Sequence, residues 1–238
     1  MMFRVLVGSV PVIAILVAAA FVTPPGFPLL LRQVLLCVIG VAGIATAEAL
    51  FFGGGGKRTL VALGFVVPRA TAVWVAVVVS LPMWLFLPLH GWLTHVPVTL
   101  NEEWLSILLG VILVNGVSEE VIHRAFVFGH LRETRGFWAS ATISAAVFAA
   151  QHTYLLATMG AVAGGASMAL ALAVAFPLAL LYERGGHSIG GPAILHTSSN
   201  APMLLFVPPE AASVVLLPHM AVVLASMYLS FALRPWLR

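Results

Sequence analysis

Seven polar residues stand in apolar surroundings, at spacings that can do chemistry. The first group is Glu119-Glu120-Val121-Ile122-His123-Arg124, inside a hydrophobic run that begins near Trp104. Ionised groups at membrane depth each cost at least a few kcal/mol, so they mark a functional site by default. On a helix Glu120 and Arg124 lie one turn apart, acid before base. Paired and hydrogen-bonded, they become tolerable where either alone would not be. Glu119 is then the uncommitted carboxylate, with His123 one turn away. The second group is His152, within Phe148-Ala149-Ala150-Gln151-His152, and the third is His196 with Asn200 in His196-Thr197-Ser198-Ser199-Asn200. Taken singly, each has a plain packing explanation: a buried ion pair, a core histidine, or polar residues joining two helices. Three neighbouring segments that each present an acid or an imidazole are better explained together, as a polar cavity between helices.

A carboxylate and two imidazoles in a desolvated cavity suit amide hydrolysis in two ways. Glu119 can act as general base on a water also held by His152, with His196 and Asn200 stabilising the oxyanion. Alternatively Glu119, His152 and His196 can ligate a zinc ion that activates the water. The residues themselves leave both routes open. Other intramembrane chemistries fail on composition. The chain has no Asp, which excludes aspartyl dyads, and no His-Glu-x-x-His. Gly165-Ala166-Ser167-Met168 lacks the final glycine of a rhomboid-type serine motif.

The elements that must position these residues are transmembrane helices. The 238 residues are 61% hydrophobic and 8% charged, with a mean hydropathy of +1.09, against about 25% charged in ordinary soluble domains. Apolar runs of about 20 residues read as spans, and eight are expected: 3–22, 28–52, 70–90, 104–131, 137–156, 160–182, 189–207 and 212–233. Residues 59–68 are too few to span and are expected along the interface. A single integral membrane domain follows, with N-terminal helices to residue 103, a catalytic core over 104–207 and a last helix over 212–233. The fold class is all-α and polytopic. Residues 1–22 could alternatively be a cleaved signal peptide ending at Ala18-Ala19-Ala20, but their length and closing prolines favour a retained helix.

Charge tests the count. With the N-terminus cytoplasmic, Arg4, Lys57, Arg58, Arg69, Arg132, Arg135, Arg184, Arg234 and Arg238 all fall on the inner side, and Arg32 is the only basic residue near the outer one. The outer loops carry Glu102, Glu103 and Glu210. That asymmetry follows the positive-inside rule and places both termini in the cytoplasm. It also accounts for the net charge of +3 without a nucleic-acid partner. Depths counted along the expected helices, at about 1.5 Å per residue, bring Glu119, His152 and His196 together near the membrane middle, with the cavity opening toward the cytoplasmic half. The single Cys37 excludes an internal disulfide.

Glu119-Glu120-x-x-x-Arg124, Phe148-x-x-x-His152 and His196-x-x-x-Asn200, in that order, resemble the three motifs of the CPBP family. These are the CAAX-processing and bacteriocin-processing intramembrane proteases, also called Abi or Rce1-like. The resemblance covers roughly Leu105 to Phe206. It implies a glutamate-type intramembrane endopeptidase in which Glu119 and His152 activate water, His196 and Asn200 form the oxyanion site, and Glu120 and Arg124 support the geometry. No cofactor is then required, with zinc the minority alternative. His123 and Ala125 depart from the family pattern, where Phe and Gly are common beside the arginine; His123 reads as a packing substitution or an additional supporting group. The implied substrate is a membrane-associated or lipid-anchored peptide or protein. Ten Arg to one Lys, with abundant Ala, Val and Gly, fits a bacterial plasma-membrane protein and makes a prenylated substrate less favoured. The rival function is a non-proteolytic immunity or scaffold protein, or a small proton-coupled transporter. A scaffold would be expected to have lost a motif residue, and a transporter to show paired repeats; neither is found.

Overall fold

The structure, a computed structural model, describes residues 1–24, 26–208 and 212–237. Expectations that fall on Pro25, Pro209, Glu210 and Arg238 lie outside the described residues. The chain is helical almost throughout: α1 (Met2–Val22), α2 (Leu29–Phe52), α3 (Lys57–Ala62), α4 (Ala70–Thr94), α5 (Trp104–Arg132), α6 (Phe137–Gln151), α7 (Tyr154–Arg184), α8 (Gly190–Ser199) and α9 (Ala212–Ala232). Two short strands, β1 (Thr99–Leu100) and β2 (Leu205–Phe206), pair antiparallel, Thr99 opposite Phe206.

Among the described residues five helices, α1, α2, α4, α5 and α7, are long and apolar enough to cross a membrane. The expected count of eight is therefore met only in part. Helix α6 is apolar but has 15 residues, and α8 has 10. At about 1.5 Å per residue they reach roughly 22 and 15 Å, short of a hydrocarbon core of about 30 Å. Sequence windows merge these helices with the apolar turns that follow them. The break expected near Gly160 is present: its φ of 80° and ψ of 169° leave the helical region inside α7, so Tyr154 to Met159 folds back beside the rest of that helix. Of residues 59–68, expected along the interface, Thr59 to Ala62 fall in the short helix α3, which begins with Lys57 and Arg58.

Prolines interrupt α1, α4, α7 and α9 without ending them, as neighbouring helices in membranes permit. Close approach is set by small residues. A Cβ on Gly40 would lie 2.0 Å from Ser118 Oγ, and one on Gly116 would lie 2.6 Å from Thr197 Oγ1. Helix α5 is thus held against α2 on one side and α8 on the other, just where it carries its carboxylates. Below that level Val121, Ile122, Phe126, Val127, Phe128 and Leu131 are fully buried.

Candidate active site

Helix α5 is wound as π-helix over Ile112–Glu119 and again over Val121–Phe128. Such segments are rare and concentrate at functional sites, because the wider turn re-aims side chains and loosens the backbone ladder. Here the wider turn brings the consecutive Glu119 and Glu120 toward one partner, His196. Ser144 of α6 donates to the His123 carbonyl at 2.7 Å, tying this stretch to the next helix.

His196 stands between both carboxylates. Its Nδ1 is 2.7 Å from Glu120 Oε1, and its Nε2 is 3.6 Å from Glu119 Oε2. Glu120 also faces Arg124, with Nε to Oε2 at 3.3 Å and both side chains essentially inaccessible. The Arg124 guanidinium lies 4.5 Å from the centre of the Phe148 ring, a cation–π contact that desolvation strengthens. Phe148 is the hub of the site. His123, His152 and His196 pack against the same ring at 4.8, 4.7 and 5.6 Å.

Glu119 is held from two sides. Gln151 Nε2 donates to its Oε1 at 3.1 Å, and Asn115 Nδ2 to its Oε2 at 3.3 Å. The Gln151 carbonyl accepts from His123 Nε2 at 2.8 Å. A carboxylate needs a donor, so the Gln151 amide orientation is fixed, and with it the tautomer of His123. His123 is therefore a buried supporting group. Sequence reasoning named it but missed Gln151 and Asn115. Both carried a signal: each is a lone amide in an apolar run, Asn115 one turn before Glu119 and Gln151 directly before His152.

His152 makes no direct hydrogen bond to Glu119. Its Nδ1 donates to the Phe148 carbonyl at 2.8 Å, which leaves Nε2 free to accept. Asn200 closes α8, donating its amide to the His196 carbonyl at 3.1 Å, with Ser199 Oγ 3.5 Å from the same nitrogen. All seven predicted residues thus belong to one constellation, packed against each other more tightly than a cavity would require. A hollow of about 500 Å³ lies at the arginine-bearing end, and no motif residue lines it. Among the described residues no three His, Cys, Asp or Glu side chains converge to hold a metal ion. His196 Nδ1 and His152 Nδ1 are both engaged by other partners, which leaves Nε2 as the available ring nitrogen on each.

The accessible side of the site is one-sided. Glu120, His123 and Arg124 are fully buried, while Asn115, His152, Tyr154, Ser199 and Asn200 are half-buried. The exposed group sits where α6 and α8 end, away from the arginine-bearing helix ends. The sequence led to the opposite expectation.

In comparisons with known proteins, no curated protein and no solved structure matches the chain. A family model does, over residues 100–202, and its description is type II CAAX prenyl endopeptidase Rce1-like. The matched stretch contains the whole constellation from Asn115 to Asn200. Residues 100–202 of this membrane protein thus match the Rce1-like model, of the CPBP family.

Proposed function

We propose that the protein is an intramembrane endopeptidase that hydrolyses a peptide bond of a membrane-associated substrate with Glu119 as general base. The observation that carries this reading is the Glu119–His196 approach of 3.6 Å. It joins a carboxylate anchored by two amides to an imidazole whose far nitrogen is already bound to Glu120.

Water held between Glu119 Oε2 and His152 Nε2 attacks the scissile carbonyl carbon as Glu119 takes its proton. The carbonyl oxygen becomes an oxyanion. When His196 carries both protons, its Nε2–H and the Asn200 amide face that charge. In that state two carboxylates face one guanidinium and one imidazolium, so the buried cluster is neutral. Collapse breaks the C–N bond, and the proton on Glu119 passes to the leaving amine. Glu120 and Arg124 do not touch substrate; they orient His196. No step is assigned to a metal.

The test is cleavage of membrane peptides by the purified protein in detergent. Glu119→Gln lowers kcat by about 100- to 10,000-fold, the range a general base supplies; full turnover in that variant would end the assignment. Activity that persists in metal-free protein after chelation supports the metal-free route, and loss restored by zinc would revive the other.

A further inference from the structure

We infer that this site takes its substrate from the membrane face opposite the arginine-bearing helix ends. By charge asymmetry that is the outer face, so the substrate class is a membrane-anchored protein whose scissile segment lies outside the cytoplasm. The nature of the substrate rests on the proteolytic reading above; the side from which it comes does not.

Contacts place the basic residues at one end. Arg4 Nη1 donates to the Phe51 carbonyl at 3.4 Å, where α1 begins and α2 ends. Arg69 Nη1 donates to the Arg184 carbonyl at 3.4 Å, where α4 begins and α7 ends. Arg132 binds Glu183 at 2.5 Å between the ends of α5 and α7. Lys57 and Arg58 sit on exposed α3 at the same end. Short loops with this much positive charge stay in the cytoplasm.

Between that end and the site the helices are sealed. Phe126, Val127, Phe128, Leu131, Leu178 and Leu181 have no accessible surface. On the other side, α5 is half-buried at Asn115 and exposed at Ile112, Leu109 and Trp104, with Gly116, Val111 and Gly110 buried on its inner face. Helices α6 and α8 stop at the level of the site, and the chain beyond them continues as Tyr154 to Met159, the turn Ala201–Leu204 and the β1–β2 pair. Half-buried Asn115, His152, Ser199 and Asn200 each hold at least one partner within the protein, and their remaining donors and acceptors are met at less cost by water or a peptide than by lipid. This side carries exposed Glu102 and Glu103 among exposed apolar residues such as Leu105 and Met203. A cytoplasmic C-terminal tail would meet the sealed side.

Cysteine accessibility tests this cleanly, because Cys37 is the only cysteine. In a Cys37→Ser background, single variants Thr153→Cys, Asn115→Cys and Thr134→Cys are expressed in intact cells and treated with a membrane-impermeant maleimide. Thr153, beside His152, and Thr134, between α5 and α6, are both exposed. The expected result is labelling of Thr153→Cys and Asn115→Cys at least tenfold faster than Thr134→Cys, with Thr134→Cys reacting only after permeabilisation. The reverse order would overturn the inference, as would Asn115→Cys reacting only from inside. Glu119-dependent cleavage is measured separately in detergent, where sidedness is lost. Cleavage there with inside-only labelling removes the sidedness and keeps the hydrolase; outside labelling without Glu119-dependent cleavage does the converse.

Discussion

Gln151 donates to Glu119 Oε1 at 3.1 Å while its own carbonyl accepts from His123 at 2.8 Å. One amide thus fixes the working carboxylate, and one imidazole fixes the amide. A hydrogen bond to a charged group contributes roughly 1.5–3 kcal/mol, and each 1.36 kcal/mol is about tenfold in rate. Gln151→Leu is therefore expected to lower kcat by about 10- to 100-fold with KM nearly unchanged, because the bond orients Glu119 and does not bind substrate. His123→Phe alone frees the amide to rotate and costs less. Both act through one hydrogen bond, so the double variant should be no worse than Gln151→Leu. Additive losses in a double-mutant cycle would show that His123 acts elsewhere.

Arg124 is buried without accessible surface, its charge met by Glu120 at 3.3 Å and by the face of Phe148. Removing one member of such a pair leaves the other charge buried, at a cost of about 3–5 kcal/mol. Arg124→Leu is expected to lower the Tm in detergent steeply. Glu120→Gln combined with Arg124→Leu should recover much of that loss, since an uncharged core of similar volume carries no unpaired ion. Turnover in the double variant stays low, because His196 no longer has its carboxylate. A double variant as unstable as Arg124→Leu would mean that packing on Phe148, not charge, holds the helix.

The motif residues were legible because three neighbouring apolar segments each present an acid or an imidazole, a combination that packing explains singly but not together. The sequence spacing of Glu120 and Arg124 also survived into the structure. Other features depended on packing. The π-helical winding of α5 has no periodic signature, since its cause is the contact with α2 and α8. Gln151 was visible, but its role required knowing that His123 lies across from it. The lengths of α6 and α8 were overread because Tyr154 to Leu156 and Ala201 to Phe206 are as apolar as the helices they follow. That error hid the open side of the site, which exists because those two helices stop early.

Gly40 allows α2 to meet α5 at Ser118. A Cβ there would stand 2.0 Å from Ser118 Oγ but 3.3 Å from Ser118 Cβ. Gly40→Ala is expected to destabilise the protein by about 1–3 kcal/mol, the usual cost of overpacking, and to lower kcat because Ser118 adjoins Glu119. Gly40→Ala with Ser118→Ala removes the clashing oxygen and should restore both Tm and turnover most of the way. Failure of the second substitution to rescue would place the close approach on the backbone instead of on that hydroxyl.

His130 forms a second buried polar group at the arginine-bearing end. Its Nε2 is 2.7 Å from Glu48 Oε2 and its Nδ1 is 3.1 Å from Glu133 Oε1, and Phe52 stacks on its ring at 3.7 Å. This histidine joins the end of α2 to the end of α5. Its chemistry resembles that of the catalytic cluster, but it lies beyond the fully buried layer of Phe126 and Phe128. A structural role and a catalytic one therefore separate experimentally. His130→Phe keeps the stacking on Phe52 and leaves the Glu48 carboxylate without its partner, at a cost of about 1–3 kcal/mol or more for a charged group. The Tm in detergent should fall by that amount, and Glu48→Leu with His130→Phe should regain part of it. Below the melting range kcat/KM should remain within twofold of the unaltered protein in both variants, since neither touches the Glu119 network. A tenfold fall in kcat/KM at unchanged Tm would instead tie this cluster to the reaction.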